Sequence, residues 1–190
     1  MHDFTLQRPA AVADALAAVA DAEDGQFMAG GQTLIPVLKQ RLAMPSDLVD
    51  LSGVADLKGI TAADGTVSIG AMTTHAAVAG SAAVAAAIPA LADLAGQIGD
   101  PHVRNRGTLG GSIANNDPAA DYPAAVVGLG ATVVTDRRTI AADDFFVDLF
   151  ETALEDGELV VRVDFPVPDA AAYMKFPNPA SRYAVVGVFV

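Results

Sequence analysis

The 190-residue chain contains no cysteine. Disulfides, thiolate zinc sites, catalytic thiols and an iron–sulfur cluster held by this chain are thereby excluded. Basic residues are scarce: 11 Lys plus Arg stand against 23 Asp plus Glu, a net charge of −12. No run of four basic residues occurs, and a nucleic-acid surface needs clustered cations to displace counterions, so no nucleic-acid partner is expected. The three histidines, His2, His75 and His102, have no metal-ligand spacing, and no metal site is expected. The opening MHDFTLQRP has no basic segment leading into an apolar one, so no secretory signal is read there. The longest uncharged run, His75 to Ala92, is mostly alanine and is broken by Gly80, Ser81 and Pro89. It is too weakly apolar for a membrane span. These absences together predict a soluble, cytoplasmic protein.

What is present is a core. Hydrophobic residues make up 52% of the chain, enough for one substantial domain or two small lobes. Residues 9–21 carry helix formers with an apolar face at helical spacing. A short strand at 26–29, a turn at Gly30-Gly31, a helix over LIPVLKQRLA and a strand in SDLVDLS together predict a small βαβ unit. Asp64-Gly65 sits between two alternating runs, a hairpin signal. An alanine-rich helical region follows to about Gly99. Next come strand, turn and strand in ATVVTDRRTIAADDF, a short helix near 143–150, and a strand in GELVVRVDFPVP. The last nine residues, RYAVVGVFV, read as a strand that stops without a partner, which suggests truncation. The predicted class is α+β, with two lobes meeting near residues 53 to 60.

Two polar, glycine-rich patches stand out: MAGGQTLIP at 28–36 and RNRGTLGGSIANND at 104–117. Glycine permits positive φ and close approach to the main chain, and successive N–H groups in such turns converge into an anion nest. The first patch feeds directly into a predicted helix. Thr108 and Ser112 add donors, and Asn115, Asn116 and Asp117 can meet hydroxyls or cap turns. Neither patch is a G-x-G-x-x-G or a G-x-x-x-x-G-K-[ST] motif. Alone they leave two readings, glycine turns in tight loops or a site for a phosphate-bearing ligand, and whether Arg104 or Arg106 touches such a ligand stays open.

In this order and spacing, the segments AGGQTLIPVLKQRLAMPSDLVDL, IGAMTTHAAVA, IGDPHVRNRGTLGGSIANNDPAADYP and DDFFVDLFETALEDGELVVRVDFP resemble the FAD-binding medium subunit of molybdenum hydroxylases. The aerobic carbon-monoxide-dehydrogenase type is the nearer likeness, and the flavin domain of xanthine dehydrogenase the more distant one. The resemblance implies the two-lobed α+β fold of vanillyl-alcohol-oxidase and p-cresol-methylhydroxylase flavoproteins, with FAD between the lobes. It divides the chain into a first lobe at 1–56, a second at 57–168 and the start of a C-terminal domain at 169–190. It further implies that Ala29, Gly30, Gly31, Gln32, Thr33 and Leu34 wrap the diphosphate; some relatives carry histidine where Gln32 stands. Thr108, Leu109, Gly110, Gly111 and Ser112 form the second diphosphate loop. Asp121 meets cofactor hydroxyls, Ile98 and Val160 (or Val161) bed the flavin, and Lys175 completes the set.

FAD carries the redox chemistry in such a domain, so no protein nucleophile or other catalytic residue is expected. The function implied is an electron relay. Electrons from a large molybdopterin-binding subunit pass through a small two-iron two-sulfur subunit to FAD here, then to an external acceptor. A stand-alone flavoprotein oxidase or reductase, or a non-catalytic scaffold of the same fold, are the alternatives.

Overall fold

The computed structural model describes all 190 residues. Its first fifty build a three-stranded parallel sheet from β1 (Thr5–Gln7), β2 (Gly25–Met28) and β3 (Asp47–Asp50), with β3 in the middle. Helix α1 (Val12–Ala20) follows β1, and α2 (Leu34–Lys39) links β2 to β3. The predicted βαβ unit is therefore present, extended by one strand. Strand β1 is three residues of mixed polarity, too short to show alternation in the sequence. Helix α2 stops at Lys39 instead of running on to Ala43, because Arg41 takes a left-handed φ of 60° and closes the turn. Ala15 of α1 packs with Val49, Leu51, Val54 and Leu57 in a small core.

Two short turns of 3-10 helix lead into β4 (Ile60–Ala63) and β5 (Thr66–Gly70). Asp64 and Gly65 between them have φ of 51° and 73°, the paired positive values of a tight hairpin turn. The alanine-rich region breaks into α3 (His75–Ala79), α4 (Ala82–Ala87) and α5 (Pro89–Gly96). Side chains of Thr74 and Ser81 cap the first two, and Pro89 opens the third. Helices α6 (Pro101–Arg104), α7 (Leu109–Asn115) and α8 (Tyr122–Gly128) follow. Then come β6 (Thr132–Thr135), β7 (Thr139–Ala141), α9 (Ala142–Phe145), β8 (Phe146–Asp148), β9 (Glu151–Thr152) and β10 (Val160–Pro166).

Strands β4, β5, β10, β6 and β7 form one antiparallel sheet in that order. Val163 and Phe165 of central β10 are fully buried with Leu91, Ile113, Tyr122 and Phe145 in the main core. The helix expected at 143–150 ends at Phe145 and gives way to the β8–β9 hairpin. Phe150 turns the chain at φ 57°, and the Asn116 side chain donates to the carbonyls of Asp148 and Glu151. That bond comes from more than thirty residues away, so local sequence could not announce it. The last elements, β11 (Tyr173–Pro177) and β12 (Ala184–Phe189), pair as an antiparallel hairpin. Tyr173 and Phe189 anchor it in the main core, while Met174, Phe176, Val186 and Val188 remain exposed.

Candidate functional site

A cavity of about 530 Å³ gathers residues from nearly every part of the chain. Its wall includes the loop between β2 and α2, the end of β5, the start of α3, Ile98-Gly99, the second glycine patch, the start of β10 and the tip of the last hairpin. All the residues expected at the site line it except Leu109 and Lys175.

The first patch supplies unpaired donors. None of the backbone N–H groups from Gly30 to Leu34 donates to an acceptor within the chain. Five consecutive backbone donors beside the cavity are thus left free, the feature an anion nest requires. Gly31 holds the turn at φ 71°, and the Gln32 amide folds back onto the Gly30 carbonyl at 3.3 Å. A Cβ on Gly30 would lie 2.1 Å from the Arg106 carbonyl oxygen, so the two patches touch main chain to main chain.

The second patch works differently from the expected second nest. Thr108 is an N-cap whose hydroxyl accepts from Gly111 N–H at 3.2 Å, and Leu109–Asn115 is helical. The N–H groups of Leu109, Gly110 and Ser112 donate to Thr73, Ala71 and Thr108 carbonyls. These donors are already used. The patch braces the first loop and contributes side chains, Ser112 and Asn115 among them, to the wall. Helical phase turns Leu109 into the main core, which is why it misses the cavity.

Three carboxylates line the cavity, yet two are matched by cations. Lys175 Nζ lies 2.9 Å from Asp121, with the lysine side chain 1% and the aspartate 4% exposed. The Tyr173 hydroxyl also donates to Asp121, and Lys175 Nζ donates to the Gln97 carbonyl at 3.0 Å. Lys175 therefore sits behind the wall, its donors turned onto Asp121 and away from the cavity. Glu158 accepts from Thr135 Oγ1 at 2.7 Å and pairs with Arg138 at 2.9 Å. Asp117 accepts from Ala119 N–H, and Arg182 is the one cationic side chain on the wall. Two of the three cavity carboxylates are thus neutralised locally, although the chain as a whole carries −12.

Hydrogen bonds from Arg138 hold the Glu158 carboxyl down at about 2, against 4.5 for a free glutamate. A carboxylate with a depressed folded-state pKa stabilises the fold above its unfolded value, and that stability is lost as pH falls through the folded one. Glu158→Gln is accordingly expected to flatten the acid limb of thermal stability between pH 4.5 and 2, read by melting curves across that range. It also leaves the guanidinium of Arg138 poorly matched, at a cost of about 1–3 kcal/mol near neutrality.

The apolar part of the wall contains Ile98 and Val160, with Leu154 and Val103 nearby. Val161, the alternative to Val160, packs on the smaller core instead, at the point where a bulge shifts the register of β10 on β6. Arg104 donates to the carbonyls of Ile98 and Gly99 at 3.0 and 3.2 Å, which makes it a clamp on the loop carrying Ile98. Arg106 is exposed. Sequence reasoning missed Tyr183 and Arg182, which the hairpin tip brings to the wall, and also His75. Only the return of β12 against β11 places that tip here, a long-range fact without a local signal.

The chain matches the family described as FAD binding domain in molybdopterin dehydrogenase over residues 2–168. It is 40% identical to the carbon monoxide dehydrogenase medium chain of Afipia carboxidovorans, covering 98% of this chain and 68% of that one. It is 38% identical to the nicotine 6-hydroxylase medium subunit of Paenarthrobacter nicotinovorans, over 96% of this chain and 66% of the relative. Among solved structures, quinoline 2-oxidoreductase from Pseudomonas putida 86 superposes with a TM-score of 0.93 at 37% identity, over 97% of this chain and 67% of that one. The chain thus spans about two thirds of the length of these relatives. Sequence, fold and cavity agree, and the chain belongs to the FAD-binding domains of the molybdopterin dehydrogenases, an oxidoreductase family whose medium subunits bind FAD.

Proposed function

We propose that this chain is the FAD-carrying electron-relay subunit of a molybdenum-containing hydroxylase, most like aerobic carbon monoxide dehydrogenase. Its relatives are named as medium chains or subunits, so partner subunits are implied. The partners proposed are a large molybdopterin-binding subunit and a small two-iron two-sulfur subunit. The lack of cysteine in this chain accords with clusters carried elsewhere. No helix is long and apolar enough to cross a membrane.

The observation that carries the reading is the run of unpaired N–H groups from Gly30 to Leu34 beside a cavity with an apolar end. Those donors hold a diphosphate without a basic surface. Ser112, Asn115 and Asp121 face hydroxyls, and Ile98 and Val160 exclude water from a flat ring. When bound, FAD supplies the redox centre, accepting electrons and passing them on. The protein's part is to hold it in register and shield it.

Titration of the flavin-free protein with FAD, followed by flavin fluorescence, tests the reading. Saturable one-to-one binding in the micromolar range or tighter is expected. A protein that retains no flavin after reconstitution overturns the cavity's assignment. Co-expression with the large and small subunits, with purification through a tag on this chain, tests the assembly, and recovery of this chain alone overturns it.

A further inference from the structure

Only two buried side-chain polar atoms in the chain lack a hydrogen-bond partner, His75 Nδ1 and Tyr122 Oη. They belong to rings that face each other, with centroids 5.3 Å apart and planes inclined at 47°. Two isolated orphans are costly, and two in one pair beside a cavity call for a reason. His75 is 5% exposed and lines the cavity; Tyr122 is fully buried behind it and follows Asp121 in sequence.

The pair also touches the second glycine patch. His75 N–H donates to the Gly107 carbonyl at 3.0 Å, and Thr74 bridges Thr108. A Cβ on Gly107 would fall 2.5 Å from His75 Nε2, so the imidazole edge lies against the main chain of that patch. Gly107 in turn abuts Gly30, the first residue of the unpaired N–H run. One line of contacts therefore leads from Tyr122 through His75 and Gly107 to the anion-binding loop.

Protonation states are fixed by the surroundings. Burial, with Arg104 of α6 adding to it, pushes the imidazole down to about 4, so the ring is neutral and one nitrogen is an acceptor. Burial and then Asp121 push the Tyr122 hydroxyl up, so it keeps its proton and can donate. A hydroxyl donor and an uncharged imidazole are thus sealed together with no hydrogen bond between them.

We propose that His75 and Tyr122 are a positioning pair for the FAD site: the Tyr122 O–H closes onto His75 Nδ1 when the ligand settles the Gly107–Gly111 segment. The inference rests on the reading of the cavity as the FAD site. The bond formed between the two side chains on binding adds to affinity. His75 acts through the glycine patch and performs no chemistry. A purely structural pair would behave otherwise: phenyl rings would replace both orphans at no loss, and with a gain in stability.

The test uses His75→Phe, Tyr122→Phe and the double variant, beside wild type. Each phenyl variant is expected to raise the melting temperature of the FAD-free protein and to weaken FAD binding about tenfold. The double variant is expected to be no weaker than either single one, because one bond is lost in all three. In wild type, the ¹⁵N resonance of His75 Nδ1 is expected to move from a free to a hydrogen-bonded acceptor on adding FAD, a change absent in Tyr122→Phe. Equal FAD affinity in wild type and both single variants overturns the pair, as does an Nδ1 resonance that FAD leaves unmoved. Wild type that binds no FAD overturns the cavity assignment instead, so the two failures are distinguishable.

Discussion

Gly30→Ala is expected to weaken FAD binding about a hundredfold while the protein stays folded. The added methyl would stand 2.1 Å from the Arg106 carbonyl oxygen and 2.8 Å from the Gly107 Cα, both main-chain atoms that cannot rotate aside. The two loops must separate by about 1 Å, and misplacing a positioning group by that distance costs about 10²-fold where geometry decides the interaction. The free donors of Gly30 to Leu34 are then displaced from the second patch. Because Gly30 lies outside both hydrophobic cores, the fall in melting temperature is expected to be only a few degrees. Gly96→Ala is the control: its Cβ meets nothing nearer than Ala79 Cβ at 3.9 Å, and it should leave affinity unchanged. Gly110→Val is a poor probe, since the new side chain would strike Ala71 at 2.5–2.9 Å and disturb the end of β5. Fluorescence titration of Gly30→Ala giving the wild-type dissociation constant refutes the assignment of the first loop.

Much of this was legible from residue order because the information is local. The Asp64-Gly65 hairpin, the βαβ unit around Gly30-Gly31 and the strand in GELVVRVDF each announce themselves through turn chemistry or apolar runs. Motif likeness then placed both glycine patches and Ile98, Asp121 and Val160 on one wall. The rest depends on pairings remote in sequence. Glycines at 110 and 111 suggested a turn, but a Thr108 cap and carbonyls from Ala71 and Thr73 stabilise a helical start there. His75 carried no signal beyond its lack of metal-ligand spacing, because neither Gly107 nor Tyr122 is near it in sequence. Arg182 holds a left-handed φ of 62° at a hairpin tip whose position depends on Asn178 bonds and on β12.

Lys175→Met is expected to be the most destabilising single substitution at the site, at about 3–5 kcal/mol, or about 10 °C in melting temperature. The ammonium and the Asp121 carboxylate are 2.9 Å apart and almost wholly sealed from water. Removing the lysine leaves a buried negative charge supported only by the Tyr173 hydroxyl. The same pair ties the last hairpin to the start of α8, so its loss also loosens the tip that carries Arg182 and Tyr183 to the cavity. Adding Asp121→Asn removes the uncompensated charge while keeping an acceptor for Tyr173, and the double variant should recover most of the lost stability. FAD affinity in that double variant separates two roles for Lys175. The sequence likeness implied a direct contact with FAD; the structure sets the amine behind Asp121, facing Gln97. If lysine acts only by holding Asp121 and the hairpin, affinity returns together with stability. Recovery of stability without recovery of affinity would mean that the amine, or the Asp121 charge it supports, meets the ligand directly, and Asp121→Asn alone distinguishes those two contacts.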